Sequence, residues 1–109
     1  MKVLIYAGGE YVTGDEIAVA LMEYSEALAE AGDAANIEIP IVGHDDRRES
    51  ATFLVGPSSQ IVAKDAEAHG EELVDDEVVM RLRALTRALH PVALPVDPAD
   101  SPEDFDSEL

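Results

Sequence analysis

Cysteine is absent from the 109 residues, which excludes disulfides, zinc–thiolate sites, iron–sulfur clusters and thiol catalysis. Bases are scarce: seven stand against 24 acids, for a formal net charge of −17. So few cations argue against direct binding to nucleic-acid phosphates and against docking on anionic lipid. No apolar run reaches the ~18 residues of a membrane span. The run Val3-Leu4-Ile5-Tyr6-Ala7 is too short for a signal sequence followed by a cleavage site. A cytoplasmic protein is the expectation, and no internal repeat of fixed period is visible. What is present is 47 % apolar residues, enough for one core in a chain whose length allows a single domain.

The charge is unevenly spread. Residues 65–77 carry seven acids and no base, and residues 97–109 carry six acids and no base. Residues 78–96 carry Arg81, Arg83 and Arg87 and no acid. This pattern reads as a domain over 1–96 containing a solvated linker, followed by an acidic tail over 97–109. Two other readings stay open: an interaction surface for a basic partner, and adaptation to high salt, which two lysines against 24 acids would fit.

Hydrophobic patterning predicts the elements. Residues 2–7 are apolar on both faces, as a central strand is, and Gly8-Gly9 ends it. Thr13 followed by Glu16 makes a capping box for a helix running to about Ala31, with Gly32 as its left-handed stop. Ile17, Leu21, Tyr24 and Leu28 form its buried stripe, extended by Ala20, Ala27 and Ala31, while Glu16, Glu23, Glu26 and Glu30 face water. Ile37, Ile39 and Ile41 alternate along a strand over 36–42, in which Pro40 indicates an edge or a bulge. A polar turn at 43–48 leads to a strand over 50–55, and the turn Gly56-Pro57-Ser58-Ser59 to a short third arm over 60–64, or a short helix. Asp75 or Asp76 caps a second helix to about Leu89, with Val78, Leu82, Leu85 and Leu89 inward and Pro91 as its stop. Val92 to Val96 is extended. The order is β-α-β-β-β-α, an α/β or α+β fold with a small mixed sheet and two main helices. Leu4, Tyr6, Leu54 and Val62 are expected on a second apolar sheet face, covered by the second helix or by another subunit.

Gly8-Gly9 and Gly14 lie between a predicted strand and a helix start, where backbone N–H groups and the helix dipole bind phosphates in nucleotide folds. Yet Asp15 and Glu16 stand where a Walker motif has Lys and Ser/Thr, and the Gly-x-Gly-x-x-Gly spacing is missing. One reading is glycines that turn the chain. The other is a ligand site of Gly8, Gly9, Thr13, Gly14 and Asp15, suited to a neutral or cationic ligand. His44-Asp45-Asp46 has metal-capable side chains, but Arg47 and Arg48 oppose a cation and no fourth ligand stands at a recognised spacing. His69 and His90 are isolated. Ser58-Ser59 lacks the second glycine of a nucleophile elbow. No catalytic set, metal site or cofactor is indicated.

The stretch Thr13-Gly14-Asp15-Glu16-Ile17-Ala18, with Ile39-Pro40 and Leu54-Val55-Gly56-Pro57-Ser58-Ser59-Gln60, resembles small uncharacterised proteins of high-GC Gram-positive bacteria over about residues 10–65. The resemblance implies a bacterial cytoplasmic protein and carries over no activity. The leading functional reading is a small acidic, non-enzymatic binding or interaction protein, as a homodimer, with a basic protein as a further partner. The alternatives are a small-molecule-binding or enzymatic domain using the 8–15 loop, and a nucleic-acid mimic that occupies a basic protein.

Overall fold

A computed structural model describes residues 1–67 and 70–89. Its first feature departs from the sequence pattern. Ala7 and Gly8 both take positive φ, 51° and 83°. Two central residues with positive φ make the hairpin turn whose twist matches its flanking strands. The chain therefore doubles back: Lys2–Tyr6 (β1) pairs antiparallel with Gly9–Thr13 (β2) along its whole length, from Lys2↔Thr13 to Tyr6↔Gly9. The predicted strand-to-helix loop is itself a strand.

Asp15–Ala31 forms α1. Its buried stripe is the predicted one, Ile17, Leu21, Tyr24 and Leu28 with Ala20 and Ala27; Ala18 joins it and Ala31 is exposed. Gly32, at φ 70°, stops the helix, its N–H bonded back to the Ala29 carbonyl. The start differs from expectation. Gly14 is the N-cap, and no side chain of the helix caps it. Thr13 is fully buried instead, and its hydroxyl donates to the Pro40 carbonyl at 2.7 Å. The capping box does not form because Thr13 ends a strand, where a neighbouring strand offers an acceptor.

Ala35–Val42 (β3) and Arg48–Val55 (β4) make the predicted hairpin, in register from Ala35↔Val55 to Val42↔Arg48. Pro40 is not on an edge strand, since β3 lies between β4 and β2. However, β2 and β3 share only the pair Val12↔Val42. In a strand a residue's N–H and C=O point to the same side. The Pro40 carbonyl meets Thr13, so its missing N–H also faces the β2 side, beyond the end of that ladder. No ladder hydrogen bond is lost.

Ile61–Asp65 (β5) is the predicted third arm, but it does not extend a meander from β4. It crosses to the opposite edge and pairs antiparallel with β1, giving the order β4-β3-β2-β1-β5. The fold is α+β with two helices, as expected, and every pairing in its sheet is antiparallel. The parallel crossover implied by a mixed sheet is absent because the inserted β2 reverses the chain before α1.

In a flat sheet β1 and β4 would be three strands, roughly 14 Å, apart. Here the Tyr6 hydroxyl donates to the Leu54 carbonyl at 2.6 Å. Tyr6 and Tyr11 both bring their rings against Phe53, with centroids 5.2 and 5.3 Å away. The sheet must fold over on itself, with the single Val12↔Val42 pair as its corner. Cross-strand pairs share a face, so Leu4, Tyr6, Tyr11, Ala63, Ile37 and Phe53 lie inside. Both helices supply side chains to that side. Leu4 and Tyr6 are thus on the helix-covered face, while Leu54 and Val62 are on the other, with Val3, Ile5 and Val12. The expected grouping of the four fails because β1 enters the sheet beside β2, not beside a parallel strand.

Asp76–Leu89 (α2) starts as predicted: the Asp75 carboxylate accepts the Val78 N–H at 3.2 Å. Leu82 is fully buried, Val79 nearly so, and Val78, Leu85 and Leu89 pack on the same cluster. Arg48 pairs with Asp75, tying the start of β4 to the helix cap. His69, His90, Pro91, the extension over 92–96 and the tail over 97–109 lie outside the described residues.

Candidate functional site

The five residues proposed from sequence as one ligand loop occupy three places. Gly8 sits in the hairpin turn, and Gly9 opens β2 beside it. Thr13 is buried at the far end of β2, roughly 13 Å along the strand. Gly14 and Asp15 are at the start of α1. The intervening strand keeps Gly8 and Gly9 away from the helix N-terminus.

That N-terminus has an internal occupant. Glu72, which is 57 residues away in sequence, accepts the Asp15 N–H through Oε2 at 2.5 Å. Its Oε1 accepts from the Met1 ammonium at 2.8 Å, and the same ammonium lies 2.8 Å from the Asp15 carboxylate. The ammonium hydrogen bond and then the Asp15 N–H hold the Glu72 carboxyl below its usual range. The two carboxylates, Asp15 first, raise the pKa of the amino group. A carboxylate at a helix start is what the dipole favours, and here the protein supplies it. Gly14 makes this closure possible. A methyl group there would stand 1.8 Å from the Leu73 carbonyl oxygen.

Two other sequence motifs lie in turns. Asp45 and Asp46 both take positive φ in the short turn between β3 and β4, and their side chains are exposed. Among the described residues no group of three His, Cys, Asp or Glu could hold a metal ion. Ser59 accepts the Gly56 N–H and donates to the Leu54 carbonyl, so its hydroxyl locks the 56–59 turn.

Concavities of about 310 and 380 Å³ flank the 71–75 segment, the larger of them against Asp15 and Glu16 at the start of α1, and two more lie where the sequence reading expected none. One lies on the helix-free face, a groove of about 610 Å³ lined by Ile5, Tyr6, Gly8, Leu54, Ser59 and Val62 among others. Leu54 and Val62 are 56 % and 55 % exposed there. The second runs along α1 beside β5. Its first part, about 390 Å³, is lined by Lys2, Val19, Met22, Glu23, Glu26 and Ala63. Its second part, about 210 Å³, shares Met22 and Glu26 and continues past Ala29 and Ile61 to the 56–59 turn. Val19, Met22, Glu26 and Ala29 follow a 3-4-3 spacing, so they form one stripe along the helix. That spacing was visible in sequence, but a glutamate within it and the stronger Ile17–Leu28 stripe beside it masked the signal. No protein-family model, curated protein or solved structure matches the chain. No helix among the described residues is long and apolar enough to cross a membrane.

Proposed function

We propose that this protein is a small acidic interaction module that works by binding another protein chain, not by catalysis. The observation that carries the reading is the open groove between α1 and β5. It has an apolar floor of Val19, Met22 and Ala63 beside a strand at the end of the sheet order. Free strand edges and apolar grooves are recurrent docking surfaces. The split of the 8–15 residues and the filling of the helix start by Glu72 weigh against the small-ligand alternative. The test is comparative affinity capture from native lysate with wild type and Met22→Asp. A protein held by wild type and lost with the folded variant is expected. Identical capture by both contradicts the reading.

Self-association is a second reading, favoured by the pattern of the helix-free face. Cross-strand neighbours there form two rows, Glu10–Ile5–Val62 and Val12–Val3–Lys64. Glu10 and Lys64 sit at diagonal corners around an apolar centre. A two-fold axis lying in this face sets Glu10 of one copy opposite Lys64 of the other. Such an isologous contact is self-complementary. Light scattering at tens of micromolar should give the mass of two chains; a single-chain mass contradicts this second reading.

A further inference from the structure

Three strands of the described sheet fix how the β5 backbone is oriented. The two-residue turn makes Tyr6↔Gly9 a hydrogen-bonded pair, so Tyr6, Leu4 and Lys2 turn their backbone groups to β2. Val3 and Ile5 then face β5. The Ala66 N–H donates to the Met1 carbonyl at 3.1 Å, which continues that alternation. Val62 and Lys64 accordingly spend their N–H and C=O on β1. The backbone groups of Ile61, Ala63 and Asp65 point away from the sheet, and among the described residues no strand pairs with them. The side chains of Ile61 and Ala63 line the α1 groove. A row of free backbone groups therefore borders an apolar trough.

The charge around the trough is of one sign. Glu23 and Glu26 stand on its α1 rim and are exposed. Lys2, the cation at its end, is held by Asp65 at 2.6 Å. The dimensions also agree: the helix stripe from Val19 to Ala29 is roughly 15 Å long, and five residues of strand span roughly 14 Å between their end Cα atoms. We infer that this groove takes an extended basic segment of a partner protein as a sixth strand on β5, with apolar side chains between α1 and β5 and Arg or Lys reaching Glu23 and Glu26. The inference rests on the interaction-module reading and names its partner chemistry. Strand addition supplies backbone hydrogen bonds, and alternate side chains supply selectivity. Long basic side chains suit the rim because their stems lie on apolar surface while their heads reach the carboxylates. A second copy added at the same edge would set two glutamate rims against each other, so a basic partner fits better here.

The test uses the full chain and four labelled peptides. The probe is Arg-Thr-Val-Thr-Val-Thr-Arg, whose Arg and Val share one face in a strand. The second peptide has Glu in place of both Arg, the third has N-methyl groups on both Val, whose N–H groups face β5 in an antiparallel addition, and the fourth is a basic amphipathic helix former. Fluorescence anisotropy should show binding of the probe only. The Glu23→Gln/Glu26→Gln pair should weaken it at least tenfold, and raised salt should weaken it as well. Ala63→Pro removes an outward N–H that β1 does not use and should abolish binding in a protein whose circular dichroism is unchanged. Amide exchange should slow at Ile61 and Ala63 in the complex. Preference for the helical or acidic peptide, or protection elsewhere, overturns the strand-addition inference and leaves the module reading standing. Binding of none of the four overturns the inference. If Met22→Asp also leaves lysate capture unchanged, the module reading falls with it.

Discussion

The buried Thr13 hydroxyl donates to the Pro40 carbonyl at 2.7 Å, across the corner where the β2–β3 ladder stops. The contact gives a donor to a carbonyl that lies beyond the end of that ladder, and it seals a point where the folded sheet would otherwise leave a polar group without a partner. Thr13→Val keeps the shape and removes the donor. A buried acceptor left unsatisfied costs about 1–3 kcal/mol, and urea unfolding should show a loss of that size. Thr13→Ser should recover most of it. A neutral Thr13→Val would mean that the Pro40 carbonyl finds another donor.

Gly14→Ala places a methyl group against the Leu73 carbonyl oxygen, which is backbone and cannot rotate away. Residues 72–74 must move, and the Glu72 contact at the helix start moves with them. The expected cost is about 1–3 kcal/mol, as for other forced overpacking, with faster proteolysis around residues 70–75. Gly8→Ala makes a useful contrast: nothing lies within 4 Å of the added carbon, but φ is +83°. Its cost of about 1–2 kcal/mol should be backbone strain alone, with no change in proteolysis near residue 72.

Ala7 occupies the left-handed region at φ 51° without glycine's freedom. Asn-Gly is the preferred pair for this hairpin turn. Ala7→Asn should therefore stabilise the protein by about 0.5–1 kcal/mol, raising Tm by a few degrees. A fall in Tm would contradict the turn geometry.

Glu72 titrates below its ordinary value of 4.5 in the folded protein, through the Met1 ammonium first and the Asp15 N–H second. A depressed carboxyl contributes stability above its unfolded pKa and loses it as pH falls through the folded one. The amino group, raised above 8.0, contributes fully below that value and loses its share as pH rises through the raised one. The stability gap between wild type and Glu72→Gln should thus be widest between these limits and close on both sides. With the Glu72 side chain 40 % exposed, solvent screening keeps the gap to about 1 kcal/mol or less. A gap that is flat from acid to alkaline pH contradicts the ion contact.

Much of the fold was legible because helices announce themselves locally. The Ile17–Leu28 and Val78–Leu89 stripes, Gly32 and Asp75 all act within one turn of their own residues. The β2 strand was not legible because Gly8-Gly9 reads equally as a stop and as a hairpin, and Thr13-Gly14-Asp15-Glu16 carries a complete capping pattern that burial of Thr13 overrides. Glu72 reaches α1 from 57 residues away, and β5 chooses β1 over its neighbour β4. Neither pairing leaves a periodic trace in sequence. The groove beside α1 depends on both β5 and α1 being in place, so its acidic rim read only as a solvated helix face.

Hydrogen exchange at single amides tests the central claim most directly. In the free protein Val62 and Lys64, bonded to β1, should exchange slowly, while Ile61 and Ala63 on the outer edge should exchange at nearly unprotected rates. Saturating partner or probe peptide should slow Ile61 and Ala63 by at least tenfold and leave Val62 and Lys64 as they were. Equal protection of all four in the free protein, or no change at Ile61 and Ala63 in a bound one, would contradict a docking edge at β5.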